Sequence, residues 1–241
     1  MHSSRPECLW LVMPVFNEEA SIERVLAEWL PALREAVGVD LRVLAINDGS
    51  RDRTLEKLRA IERANPEVTV RDQANAGHGA SCIAGYRLAL SSGADWVLQI
   101  DSDGQCDPRY FAAFWEARRN APVIFGYRVR RDDGWSRWAI SRVVSLVSWL
   151  AAGIWVGDAN VPYRLMRAAE LSRAVEAMPA DIQLANVLIA LRLQRAPGIA
   201  WIPIRFRERH GGTPSIRAGS FAHQGRLLYR QLRAERRRVP T

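Results

Sequence analysis

The sequence predicts an α/β fold, a single domain with a mainly parallel central sheet and flanking helices. Three observations carry this. Short apolar runs at 8–16, 41–46, 68–70 and 96–100 alternate with segments whose apolar residues recur at helical spacing. Each run stops abruptly in a cluster of Asn, Asp, Gly or Ser. Strands separated by helices also need crossover connections, which are right-handed and pair the strands in parallel.

The 241 residues are 48% hydrophobic, enough for a real core. That length admits one large domain or two small ones, and the unbroken alternation favours one. Residues 1–7 hold no apolar signal core, so the chain is expected to stay in the cytoplasm. Cys8, Cys82 and Cys106 are odd in number and lack metal-ligand spacing. They read as reduced thiols, with no disulfide framework. The net charge of +8 points to anionic partners. Lys57 is the only lysine, so nearly all of the 34 cations are arginines. A nucleic-acid-binding module rests on that charge alone, without a basic aromatic platform or a recognition-helix motif.

The first run, a buried strand, ends in Pro14-Val15-Phe16-Asn17-Glu18-Glu19. A helix to about Ala36 follows, with Ile22, Val25, Leu26, Trp29 and Leu30 at helical spacing. The second strand opens into Asn47-Asp48-Gly49-Ser50-Arg51-Asp52-Arg53-Thr54 and a helix containing Leu55, Leu58 and Ile61. The short third strand leads to Asn75-Ala76-Gly77-His78-Gly79-Ala80 and a helix to about Leu90. The fourth ends in Asp101-Ser102-Asp103-Gly104-Gln105. Open α/β sheets bind ligands at the carboxyl ends of their strands. Asn17, Glu18, Asp48, Asn75 and Asp101 are therefore expected to share one crevice. Any one of these loops could be simple capping or turn chemistry, but four in succession at one sheet edge read as a nucleotide site.

In extended backbone, residues two apart point the same way. Asp101 and Asp103 would then present their carboxylates roughly 6 to 7 Å apart. That suits Mg2+ or Mn2+, because hard cations take one or two carboxylates plus water and substrate phosphates. Gln105 adds a neutral oxygen to this metal set. A polar turn is the alternative reading of Asp-Ser-Asp-Gly taken alone.

Taken together, the four clusters resemble the ordered motif set of family 2 glycosyltransferases, and the resemblance runs to about Ser215. It implies a GT-A (Rossmann-like) fold, a nucleoside-diphosphate sugar donor, a divalent metal and inversion at the anomeric carbon. Pro14, Asn17, Glu18, Asp48, Asn75, His78, Asp101 and Asp103 fall on its donor-binding positions. The family often has Asp where Asn47 stands, which leaves Asp48 for the base or ribose, and many members have Lys where His78 stands. The domain division expected is a glycosyltransferase domain at 1–215, with a nucleotide half at 8–107 and an acceptor half at 108–215. A basic amphipathic tail at 216–241 completes it.

In the second half, 123–127 reads as a strand leading to Arg128. The apolar stretch at 138–156 is long enough to span a bilayer, but Ser141, Arg142, Ser145 and Ser148 mark one polar stripe. That stripe favours a buried core helix or an interfacial helix over a spanning one. Asp158 precedes a short strand in a segment resembling the family's, with Val161-Pro162-Tyr163-Arg164 in place of Gly-Phe-Arg. Asp181 sits near the position where hydroxyl-acceptor members keep a base, and it also suits a helix N-cap.

Ile202, Ile204 and Phe206 alternate with Arg205, Arg207 and Arg209. A strand here would bury one face and load the other with guanidiniums. The segment through Ser215 resembles the late Arg-x-x-Gly-x-Ser element of polyprenyl-phosphate glycosyltransferases, which implies phosphate binding by Arg205, Arg207, Arg209 and Ser215. Arg128 and Arg142 match the family's acceptor-phosphate positions. Six arginines between 226 and 238 form a basic amphipathic helix. At about 1 kcal/mol per cation they would hold the chain loosely on anionic lipid.

The expected enzyme is thus an inverting, metal-dependent glycosyltransferase with a polyprenyl-phosphate acceptor, at the inner face of the membrane. The expected partners are the nucleotide sugar, the lipid phosphate, an anionic membrane surface and a separate membrane protein, without nucleic acid. The rival enzyme uses a hydroxyl acceptor and needs a general base, Asp158 or Asp181.

Overall fold

The computed structural model describes residues 6–37, 40–129, 161–176, 178, 185–194 and 198–209. Seven strands form one sheet: β1 (Leu9–Val15), β2 (Leu41–Asp48), β3 (Val68–Gln73), β4 (Trp96–Gln99), β5 (Val123–Arg128), β6 (Arg164–Arg167) and β7 (Ile199–Ile204). Their order is β3-β2-β1-β4-β6-β5-β7. β1 pairs in parallel with β2 and β4, β2 with β3, and β5 with β7. Among the described strands only β6 runs antiparallel, between β4 and β5. The mainly parallel α/β sheet expected from the alternation is what forms.

The described helices are α1 (Ile22–Val37), α2 (Thr54–Ala64), α3 (His78–Ser91), α4 (Phe111–Ala117), α5 (Ala168–Val175) and α6 (Ala185–Leu193). They cover both faces of the sheet, so the strands are apolar on both sides. Leu11, Met13, Val43 and Ala45 pack with α1 residues Trp29 and Leu33 on one face. Val12, Leu44 and Ile46 pack with Cys82, Ile83 and Tyr86 of α3 on the other. Successive residues of β1 and β2 thus alternate between two cores, as the two-residue strand period requires.

Two close contacts decide how the carboxyl edge of the sheet is built. Trp29 is buried in the first core, and its indole N–H donates to the Cys106 carbonyl at 3.3 Å, tying α1 to the loop after β4. On the opposite face α3 lies tight on the sheet at Gly85. A Cβ there would come within 2.4 Å of Val12 Cγ1 and 2.7 Å of Ile46 Cδ1. That approach sets the height of α3, whose first residue is His78.

The alternating arginines do not behave as a strand face. Pairing of β7 with β5 ends at Ile204, opposite Arg128, so Arg205, Arg207 and Arg209 follow the strand. Ile204 is buried and Phe206 packs against the core as expected, but without a ladder each arginine takes its own direction. The 138–156 stretch and the 226–238 tail lie outside the described residues. Among the described residues no helix is long and apolar enough to cross a membrane.

Overpacking a tight interface costs about 1–3 kcal/mol. Gly85→Val is therefore expected to lower unfolding free energy by that amount in urea denaturation, and an unchanged midpoint would show that α3 can lift without cost.

Candidate active site

The loops after β1, β2, β3 and β4 meet at the carboxyl edge of the sheet, and their own hydrogen bonds lock them together. Asn17 adopts a left-handed φ of 53°, tolerable for Asn because its side chain bonds locally. Its N–H donates to Ser50 Oγ at 3.0 Å, and its Oδ1 accepts from the Arg51 N–H at 2.8 Å. The Glu18 N–H donates to Thr54 Oγ1 at 2.8 Å, and Glu19 accepts from the Arg53 N–H at 2.9 Å. The first two loops are thus one wall. Gly49, at φ 69°, brings this wall against the third loop: a Cβ would sit 2.7 Å from the Asn75 nitrogen.

Asp48 joins the third loop. Only 3% exposed, its carboxylate accepts from the Ala76 and Gly77 N–H groups, both at 2.9 Å, and from the Gln73 amide at 3.0 Å. The Asn75 amide donates to the Asp48 carbonyl at 2.8 Å. Both carboxylate oxygens of the residue expected at the base or ribose are therefore engaged by the chain itself. The neighbouring Asn47 donates through Nδ2 to Asp72 Oδ1 at 2.6 Å.

The acidic loop after β4 completes the crevice. His78 Nε2 lies 2.9 Å from Asp101 Oδ1, and His78 Nδ1 lies 3.8 Å from Cys82 Sγ. Cys82 and the Asp101 carboxylate together hold His78 well above its ordinary pKa, against its desolvation. Burial and the nearby charge of Asp101 push the Asp103 carboxyl up to about 6, against the Gln105 N–H and Arg209. A buried carboxyl raised in this way beside a second carboxylate marks a site short of positive charge. Among the described residues no cluster of three His, Cys, Asp or Glu side chains could hold a metal on its own. A pair still fits a cation that takes its remaining ligands from diphosphate and water. Gln105 enters through its main chain: its N–H donates to Asp103 Oδ1 at 3.1 Å, and its carbonyl accepts from the Arg207 N–H at 3.0 Å.

Residues 205–209 strap this loop down. The Arg205 N–H donates to the Tyr110 hydroxyl at 3.2 Å while its side chain is exposed. Arg207 pairs with Glu28 of α1 and with Asp107. Arg209 Nη2 donates to Glu18 Oε1 at 2.7 Å, and the Ser21 hydroxyl donates to the other Glu18 oxygen at 2.6 Å. The expected face of three guanidiniums is replaced by two inward clasps and one exposed cation, because buried carboxylates on other elements recruit Arg207 and Arg209. Arg128, at the end of β5, lies over the Phe206 ring at 5.3 Å. Sequence reading missed Glu28, Asp107, Cys82 and Gln99. The regular spacing of His78, Cys82 and Tyr86 was the available signal. Arg142, Asp158, Asp181 and Ser215 lie outside the described residues.

An open α/β sheet with four interlocked loops and an Asp-x-Asp pair at its carboxyl edge is the GT-A architecture. Residues 10–170 match glycosyl transferase family 2, and the chain belongs to that family. It is 34% identical over 172 residues to an undecaprenyl-phosphate 4-deoxy-4-formamido-L-arabinose transferase of Pseudomonas paraeruginosa, covering 70% of this chain and 48% of that protein. The chain thus spans about half the length of those relatives. An undecaprenyl-phosphate mannosyltransferase of Micrococcus luteus is 28% identical over 220 residues, covering 86% of this chain and 87% of that one. In three dimensions the chain resembles glucosyl-3-phosphoglycerate synthase from Mycobacterium tuberculosis, solved with Mn2+, uridine-diphosphate and phosphoglyceric acid. The TM-score is 0.69 at 18% identity, covering 98% of this chain and 80% of that one.

The Arg207 clasp gives a pH-dependent expectation. Burial alone would raise Asp107 and Glu28, but bonds from Arg207, and from Arg24 to Glu28, hold both below their ordinary values. Groups depressed in the folded state stabilise it above the unfolded-chain range of about 4, and that contribution disappears as pH falls through their lowered values. Arg207→Ala should cost about 1–3 kcal/mol near neutrality. Urea titrations of both proteins across pH should show the gap closing below about pH 4; a gap independent of pH would mean the clasp acts by packing alone.

Proposed function

We propose that the protein transfers a sugar from a nucleoside-diphosphate sugar to a polyprenyl phosphate at the inner face of the membrane. The observation that carries this is the Asp101–Asp103 pair, whose shortage of positive charge suits a metal-bound diphosphate. The acceptor is inferred from the undecaprenyl-phosphate transferases to which the chain is similar.

Asp101 and Asp103 are the residues that would hold Mg2+ or Mn2+. Such an ion, when bound, supplies Lewis-acid neutralisation of the departing diphosphate. Pro14, Asn17, Glu18 and Asn75 shape the donor side through the interlocked loops, and Asp48 fixes that shape from beneath. Arg128 and Arg142 hold the acceptor phosphate. Its oxygen attacks the anomeric carbon in line and the sugar–diphosphate bond breaks, inverting the centre through an oxocarbenium-like state. An anionic phosphate oxygen needs no strong general base, so Asp158 and Asp181 carry no proton in this reading. Arg205 faces solvent, where it meets approaching phosphate, whereas Arg209 is held inward by Glu18 and acts through the shape of the first loop. Membrane attachment is peripheral, through the tail arginines and the 138–156 stretch, with a separate membrane protein as a further partner.

Transfer of radiolabelled sugar from UDP-, GDP-, dTDP- and CDP-sugars to undecaprenyl phosphate tests this. Label should enter an organic-extractable product with one donor, and Asp103→Asn should abolish it without changing the melting curve. Turnover of Asp103→Asn near the wild-type rate with Mn2+ would remove the metal assignment. Aqueous product only, with a dead Asp181→Asn and active Arg128→Ala, would replace the lipid phosphate by a hydroxyl acceptor.

A further inference from the structure

His78, Cys82 and Tyr86 stand four residues apart on α3 and so share one face of the helix. That face meets Gln99 at the end of β4. Cys82, Tyr86 and Gln99 are all completely buried, in a contact otherwise made of apolar side chains such as Ile83 and Val97. Polar groups placed there are costly unless each finds a partner. Each does. The Tyr86 hydroxyl donates to Gln99 Oε1, and the Gln99 amide donates to Cys82 Sγ at 3.7 Å. Cys82 Sγ lies 3.8 Å from His78 Nδ1, and His78 Nε2 lies 2.9 Å from Asp101 Oδ1.

The donor directions agree along the whole path. With the Gln99 oxygen facing the phenol, its nitrogen must face sulfur. When the ring is neutral, the thiol, accepting from that amide, is left to donate onward to Nδ1. A neutral imidazole whose Nδ1 accepts carries its proton on Nε2, aimed at Asp101. A charged ring also carries that proton, so the bond to Asp101 is present in either state.

We propose that Cys82 and Gln99, backed by Tyr86, are positioning residues: they fix the tilt of His78, and the tautomer of its neutral ring, so that its Nε2–H holds Asp101 in one orientation for the cation and donor. This rests on reading Asp101 and Asp103 as the cation seat. It also accounts for a polar line running from the core to a crevice side chain that is 47% exposed. Groups that orient metal ligands from behind typically matter 10- to 100-fold, on the order of the ligands' own fine placement.

The test uses the full chain. Long-range 1H–15N correlation, above the pKa of the ring, should show His78 protonated at Nε2. Cys82→Ala should yield a mixture with the Nδ1–H form and weaken Mn2+ binding, titrated by water-proton relaxation, by about 10- to 100-fold. Cys82→Ser, which keeps a donor and an acceptor, should restore both. Tyr86→Phe breaks the path farther back and should move both readouts in the same direction, which covers the case of a Cys82→Ala chain that does not fold. A wild-type ring protonated only at Nδ1 overturns the proposal. So does a folded Cys82→Ala protein with wild-type tautomer and Mn2+ affinity. Failure of the cation-seat reading looks different: Mn2+ binding would be indifferent to Asp103→Asn, while the ring tautomer would still answer to Cys82.

Discussion

Carboxylates gathered at one edge of a sheet must be partnered, and the whole crevice is arranged around that requirement. Parallel strands end on the same side, so the acids that follow β1, β2 and β4 converge there. Each meets a different answer. Asp48 is buried under two main-chain amides and an amide side chain. Glu18 is met by Arg209, Asp107 by Arg207, and Asp101 by His78. The Asp103 carboxyl is pushed upward by its burial and by the charge of Asp101. The fold neutralises the acids that shape the loops and leaves negative charge where a cation can use it, which is a division of labour no single motif expresses.

The partners come from far along the chain. Arg207 and Arg209 stand 179 and 191 residues from Glu28 and Glu18. Loop closure over such lengths costs entropy that grows slowly with length, and the buried carboxylates return enough to fix the strap. Because Arg207 also holds the Gln105 carbonyl through its main chain, the strap and the acidic loop are set by the same few bonds. A change in the strap is thus felt at Asp103 without any contact to a substrate.

Family membership and the relatives' acceptors are consistent with this chemistry, yet they say little about His78 or Cys82. The support for the Asp-x-Asp loop in this chain is a histidine set against a buried thiol and amide. Rigid backing of that kind keeps a carboxylate in place from behind.

Much of the architecture was legible in the amino-acid order, because alternating runs and helical spacing are local properties. The strands at 8–16, 41–46 and 96–100, the helix to about Ala36 and the four polar loops follow from periodicity and turn residues alone. The convergence of those loops follows as well, since parallel pairing puts strand ends on one side. The same local rule failed at Arg205, Arg207 and Arg209, where alternation suggested a charged strand face but the ladder stops at Ile204. Whether a guanidinium meets solvent, a phosphate or a carboxylate depends on which other elements lie within a few ångströms, and that is not encoded in spacing. Asp48 shows the converse: the motif placed it at the crevice, but only the packing of the third loop against Gly49 turned its oxygens inward. The sequence by itself determined the sheet, its edge and the list of acids. Tertiary structure alone decided which acid is neutralised by which partner, because electrostatic pairing depends on distance in space and not on distance along the chain.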